Sequence, residues 1–184
     1  QEAISRLAIH KRKFAVFGKC GLGKSLIYFE YIRAVMRSMR SKGTLLFTPA
    51  MVVEQMAEEY ERFYPGSPIE IIPSGSVGKW LKTCGGKIGI TNYEALKNDL
   101  DQGQLGCLVA DESSVMKSHY GNYAAGIIRL GRGLQWKLAG TGTPAPNDRI
   151  EYANHAVFLD QFPTVNSFLA TYFVNRGQTQ ERWA

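Results

Sequence analysis

Apolar residues in this chain fall in short unbroken runs, and between the runs they recur at helical spacing. Phe14–Phe17 reads as a buried strand, and Thr44–Thr48, Ile69–Ile72, Lys87–Thr91, Leu105–Ala110 and Trp136–Gly140 as further strands. The stretches between them predict helices over Lys24–Arg40, Val52–Phe63 (with an acidic outer face), Val77–Thr83, a short segment reaching Leu100, and Tyr120–Leu130. Asp148–Leu159 and Val165–Phe173 are the last predicted helices. Lys24–Arg40 places Leu26, Ile27, Ile32, Val35, Met36 and Met39 near helical spacing, and Gly43 follows as a stop. Arg33, Arg37, Arg40 and Lys42 gather at that helix end, where they complement its dipole and face solvent. Pro65-Gly66-Ser67-Pro68 is a turn. Strands that are apolar throughout, alternating with helices, are the pattern of a mostly parallel sheet covered on both faces, an α/β fold. Ligands of such sheets sit beyond the carboxyl ends of the strands, so residues that carry chemistry are expected just after strands.

Composition narrows this only a little. The 184 residues suit one domain, and 45% hydrophobic with 21% charged residues is an ordinary globular balance. The net charge of +6 suits an anionic partner without requiring one. Cys20, Cys84 and Cys107 are widely spaced, as are His10, His119 and His155, which argues against a disulfide framework and a zinc site. No apolar run approaches a membrane span, and Arg6, His10, Lys11, Arg12 and Lys13 interrupt anything like a signal peptide. The expectation is a soluble protein of a reducing compartment, cytoplasmic (or nuclear in a eukaryote), and neither secreted nor bound in a membrane.

Candidate chemistry does follow the strands. Gly18-Lys19-Cys20-Gly21-Leu22-Gly23-Lys24-Ser25 fits G-x-x-x-x-G-K-[ST], between an apolar strand and a long helix. Its glycines let main-chain amides turn inward around phosphate oxygens, and the helix start adds its positive dipole end. Lys24 supplies a cation for the β- and γ-phosphates of ATP, and Ser25 a hydroxyl for Mg²⁺. Cys20 reads as a tolerated small residue in that loop. At the end of Leu105–Ala110, Asp111 is the candidate metal acid and Glu112 is placed to orient and deprotonate the attacking water. Thr141-Gly142-Thr143-Pro144, after the final strand, can bring backbone and hydroxyls close to a γ-phosphate; taken alone it reads better as a polar turn capped by Asn147 or Asp148.

Together these segments resemble the motifs of superfamily 2 helicases and translocases, and within them the Swi/Snf-like branch with its bacterial and phage members. The phosphate loop resembles motif I; Thr48-Pro49 with Gln55 resembles motif Ia; Ile90-Thr91-Asn92-Tyr93-Glu94 resembles the "ITxYE" stretch. Asp111-Glu112-Ser113-Ser114 with Lys117 resembles the Asp-Glu box, and Thr141-Gly142-Thr143-Pro144 with Asn147 resembles motif III. The resemblance implies a RecA-like P-loop lobe that couples ATP hydrolysis to movement on nucleic acid, DNA more than RNA. It further implies that Gln1 reads the adenine edge, and that Thr48, Pro49, Thr91 and Asn92 touch the nucleic-acid backbone. Ser114, Thr141, Gly142 and Thr143 would couple the γ-phosphate state to the bound strand. The box departs from better-known members at Ser113-Ser114. No segment after Asn147 offers an arginine finger, so residues 1–184 are expected to be a single first lobe of a protein that carries a second lobe elsewhere. Rival readings are another P-loop DNA motor, such as a restriction-enzyme motor subunit or a phage terminase, a small-molecule kinase, and a nucleotide-binding module that does not hydrolyse.

Overall fold

The computed structural model describes residues 1–19, 21–117, 122–145 and 149–173. Six strands form one sheet in the order β1-β6-β5-β2-β4-β3, every pair parallel. They are β1 (Lys13–Phe17), β2 (Gly43–Thr48), β3 (Glu70–Ile71), β4 (Ile88–Asn92), β5 (Leu105–Asp111) and β6 (Trp136–Thr141). The α-helices are α1 (Glu2–Lys11), α2 (Lys24–Ser38), α3 (Val53–Phe63), α4 (Val77–Leu81), α5 (Asn122–Gly131), α6 (Tyr152–Phe158) and α7 (Val165–Tyr172). Successive residues of a strand face opposite ways, and the two cores divide accordingly. Leu45, Phe47, Leu108, Ala110 and Ala139 join Trp80, Leu81, Ile127 and Leu130 on one face. Leu46, Cys107, Val109 and Leu138 join Ile27, Tyr28, Phe29, Ile32 and Tyr60 on the other. β2, β5 and β6 are buried along their whole length, which is why they show no polar alternation. No helix among the described residues is long and apolar enough to cross a membrane.

Several expectations change. β1 is an edge strand, half-buried, with Phe17 42% exposed; its apolar run suggested an inner one. α1 was not anticipated. Its apolar Ile4 and Leu7 face solvent, and it approaches the core through the small Ser5 and Ala8, so hydrophobic spacing gave no signal for it. α2 ends at Ser38, and Gly43 does not stop it: Gly43 is the first residue of β2. A Cβ there would lie 2.4 Å from the Cys84 carbonyl oxygen, so close packing explains the glycine. The segment after β4 is a 3-10 turn, Tyr93–Lys97, and β3 keeps two paired residues. Arg33 stacks its guanidinium 4.1 Å over the Tyr64 ring and lies 3.8 Å from Glu30, a more specific placement than a solvent-facing charge. The predicted helix starts at Tyr120 and Asp148 lie outside the described residues, as do Asn147 and Cys20.

Candidate functional site

β6 lies between β1 and β5, so the threonine segment is threaded between the phosphate loop and the acid pair. Hydrogen bonds connect the three. The Gly18 amide donates to the Thr141 carbonyl (3.1 Å). The Thr141 hydroxyl donates to Glu112 Oε2 (3.2 Å) and accepts from the Thr143 amide (3.1 Å). Gly142 joins the two threonines, half-buried. Glu112 itself is left-handed, φ 46° and ψ 48°. That conformation costs a non-glycine residue of order 1–3 kcal/mol and collects at functional sites. Here it turns the carboxylate towards Thr141.

The phosphate loop has the backbone its glycines allow, with φ +80° at Gly21 and +71° at Gly23. Lys19 and Leu22 are exposed, and Ser25 is half-buried at the start of α2. Lys24 is buried, and its ammonium donates to the carbonyls of Gly18 (2.9 Å) and Lys19 (3.3 Å). Among the described residues it has no carboxylate partner. A buried cation that only main-chain carbonyls hold is poised to meet an anion. Gln1 also reaches this loop: its Nε2 donates to the Leu22 carbonyl (3.1 Å) and rests against Gly23.

Asp111 is buried at the tip of β5. Burial pushes its carboxyl above the usual carboxylate range, and the Thr48 hydroxyl, donating to Oδ2 at 2.9 Å, opposes that rise. The Tyr93 hydroxyl fixes the strand end by donating to the Asp111 carbonyl (2.5 Å). Two residues expected to touch nucleic acid have their hydroxyls engaged within the chain. The Thr48 hydroxyl serves Asp111, and the buried Thr91 hydroxyl donates to the Ile72 carbonyl (2.8 Å). Pro49 and Asn92 are half-buried, and Asn92 Oδ1 caps the following turn through the Glu94 amide. Ser114 also differs from expectation. Its hydroxyl donates to the Glu112 carbonyl (3.4 Å), and no bond from it to the threonine segment exists among the described residues. The neighbouring Ser113 is the linked one: its hydroxyl shares a 2.9 Å hydrogen bond with His155 Nε2 on α6. Burial lowers the His155 pKa, keeping the ring neutral near pH 7, and the ring stands edge-on to Phe17 at 5.5 Å. Tyr93 and Ser113 lie inside segments that resemble motifs but had no role assigned there, and His155 carried no motif signal; the fold brings Tyr93 and His155 to the acid pair.

These residues fit a magnesium nucleotide. Among the described residues no group of three or more His, Cys, Asp or Glu is arranged to hold a metal. Mg²⁺ needs no such cage, since it binds through one or two protein oxygens, substrate phosphates and water. Ser25, half-buried at the start of α2, and Asp111, buried at the tip of β5, are oxygen donors of that kind.

Residues 1–131 match the family model described as "Type III restriction enzyme, res subunit". No curated protein matches the chain. Among solved structures, the Sulfolobus solfataricus SWI2/SNF2 ATPase core in complex with dsDNA is similar with a TM-score of 0.72 at 18% identity, over 92% of this chain and 36% of that one. The UvsW helicase from bacteriophage T4 gives 0.64 at 16% identity, over 85% and 56%. The Pyrococcus furiosus Hef helicase domain gives 0.64 at 17%, over 89% and 39%. The chain thus spans between 36% and 56% of the length of these structures. Their likeness is one of fold, and the family match covers well over half of the 184 residues. The chain belongs to the type III restriction enzyme res-subunit family, and its RecA-like α/β fold is shared with the SWI2/SNF2 ATPase core and the helicase structures.

Proposed function

We propose that the chain is the ATP-binding lobe of a nucleic-acid-dependent motor, which binds ATP·Mg²⁺ and double-stranded DNA and couples hydrolysis to translocation or remodelling. The observation that carries this reading is the hydrogen-bonded path from Gly18 through Thr141 to Glu112. It ties the phosphate loop to the water-activating acid by way of the segment that resembles motif III. In this reading Lys24 holds the β- and γ-phosphates, with the loop amides around them, and Gln1 stands near the base. Ser25 and Asp111 hold Mg²⁺, which when bound neutralises charge on the phosphates. Glu112 takes the proton of the attacking water, and Thr141 holds its carboxylate in place. DNA backbone would meet the strand ends at the half-buried Pro49 and Asn92, with Thr48 and Thr91 buried beneath them. Catalytic competence would then rest on a second RecA-like lobe that supplies an arginine.

The family match favours a second reading, the motor subunit of a restriction enzyme. The two share everything stated so far and differ in outcome on DNA. A restriction motor supports ATP-dependent cutting of duplex DNA with its companion subunits, whereas a remodelling motor leaves the duplex covalently intact. Phosphate release with and without duplex DNA tests the shared part. Lys24→Ala tests the phosphate loop more directly. Loss of a charge-assisted contact worth about 1.5–3 kcal/mol should weaken a fluorescent ATP analogue by roughly tenfold to a hundredfold. Unchanged affinity would remove the loop from the site.

A further inference from the structure

Tyr28 lies on α2 one turn beyond Lys24, so both project from the same face of the helix. Its side chain is fully buried, and its hydroxyl has no hydrogen-bond partner among the described residues. The hydroxyl lies at the Asp111 end of β5, on the sheet face against which the Tyr28 ring packs. The space it occupies exists because residue 140 is glycine. A Cβ there would lie 1.8 Å from the tyrosine oxygen and 2.5 Å from Cζ. Gly140 is the register partner of Asp111 across β5 and β6, so this notch opens directly beside the acid. A phenylalanine would fill nearly the same volume without the desolvation cost of an unpartnered hydroxyl. The oxygen is thus aimed, through a gap made for it, at a carboxylate whose Oδ2 is already held by Thr48.

We propose that Tyr28 is a positioning residue for Asp111: its hydroxyl, admitted by the notch at Gly140, acts with Thr48 to hold the carboxylate in the orientation that receives Mg²⁺. This rests on the reading of Asp111 as the metal acid. A tyrosine hydroxyl is protonated at neutral pH and so donates to an ionised carboxylate. Partners of this kind, behind a metal ligand, fix its orientation, and losing one costs about tenfold to a hundredfold in metal affinity.

The test is binding of a fluorescent ATP analogue to the chain at increasing Mg²⁺, for the parent, Tyr28→Phe and Gly140→Ala, with thermal melting of each in the absence of nucleotide. Tyr28→Phe should need about tenfold more Mg²⁺ for half-maximal binding. Its melting temperature should stay level or rise, because an unpartnered buried hydroxyl has been removed. Gly140→Ala displaces the same hydroxyl without deleting it and should move the Mg²⁺ midpoint in the same direction. A Tyr28→Phe protein that melts normally and keeps the parent midpoint would show that the ring only fills space, and would overturn the proposal. The same holds for a folded Gly140→Ala protein with an unmoved midpoint. A parent whose nucleotide binding ignores Mg²⁺ altogether would instead overturn the metal-acid reading of Asp111 beneath it.

Discussion

Glu112→Gln is expected to leave binding of ATP nearly unchanged while lowering its hydrolysis, in an enzyme complete with the second lobe, by about 10²–10⁴-fold, the usual range for a general base. The amide has the size of the carboxylate and keeps an oxygen that can accept from the Thr141 hydroxyl, so the hydrogen bond at 3.2 Å can persist. What it loses is the capacity to take a proton from water. The left-handed backbone at residue 112 is no harder for glutamine than for glutamate, so the fold should be indifferent to the change. Asp111→Asn should behave differently, by weakening the dependence on Mg²⁺, because that side chain is buried and held by Thr48 at the strand tip. Steady-state phosphate release and analogue binding, measured side by side, separate the two variants. Turnover at the parent rate by the Glu112→Gln protein would mean that another residue is the base.

The candidate phosphate loop and acid pair stand out in the sequence because the proposed chemistry demands particular residues at particular places. Gly21 and Gly23 stand where the backbone has positive φ, and Asp111 and Glu112 follow a run whose every residue is buried. Such constraints act locally and leave a mark in the letters. Burial of Thr48 and Thr91 left none. A threonine suits a strand whichever way its hydroxyl turns, and only the completed sheet shows one turned to Asp111 and the other to Ile72. Tyr28 and Gly140 lie 112 residues apart and are complementary in shape, a relation no spacing rule contains. α1 escaped notice for the opposite reason. Its conspicuous residues, Ile4 and Leu7, point outward, and the contact that matters uses Ser5 and Ala8. Gly43 was visible but misread, since a glycine required for close approach to Cys84 looks the same in sequence as one that ends a helix.

Asp160→Asn should destabilise the fold by an amount towards the lower end of roughly 3–5 kcal/mol, the cost of leaving a buried charge without its partner. Lys137, on the inner strand β6, is 1% exposed, and its ammonium donates to the Phe158 carbonyl and to Asp160 Oδ2, both at 2.8 Å. Lys13, its register partner on β1, donates to the same oxygen at 2.7 Å. One carboxylate thus joins two adjacent strands to the end of α6. Burial lowers the Lys137 pKa despite the Asp160 partner, which marks the ammonium as costly to keep inside. Asparagine is the sharper substitution because residue 160 has φ 55°, a conformation that asparagine tolerates where alanine does not. The lower end of the range applies because the Asp160 side chain is 38% exposed, so water can reach the pair. Burial alone would raise the Asp160 pKa, but Lys13 and Lys137 outweigh it and hold the carboxyl below its ordinary value. A lowered folded-state pKa contributes stability that is present above the unfolded value, about 3.9, and is lost as pH falls through the folded value. Urea unfolding at pH 7 should therefore show a clear gap between the parent and Asp160→Asn, and the gap should close as the pH is taken below the carboxylate range. A gap that persisted unchanged in acid would mean that the asparagine acts through packing or the turn, and not through the charge that two lysines share.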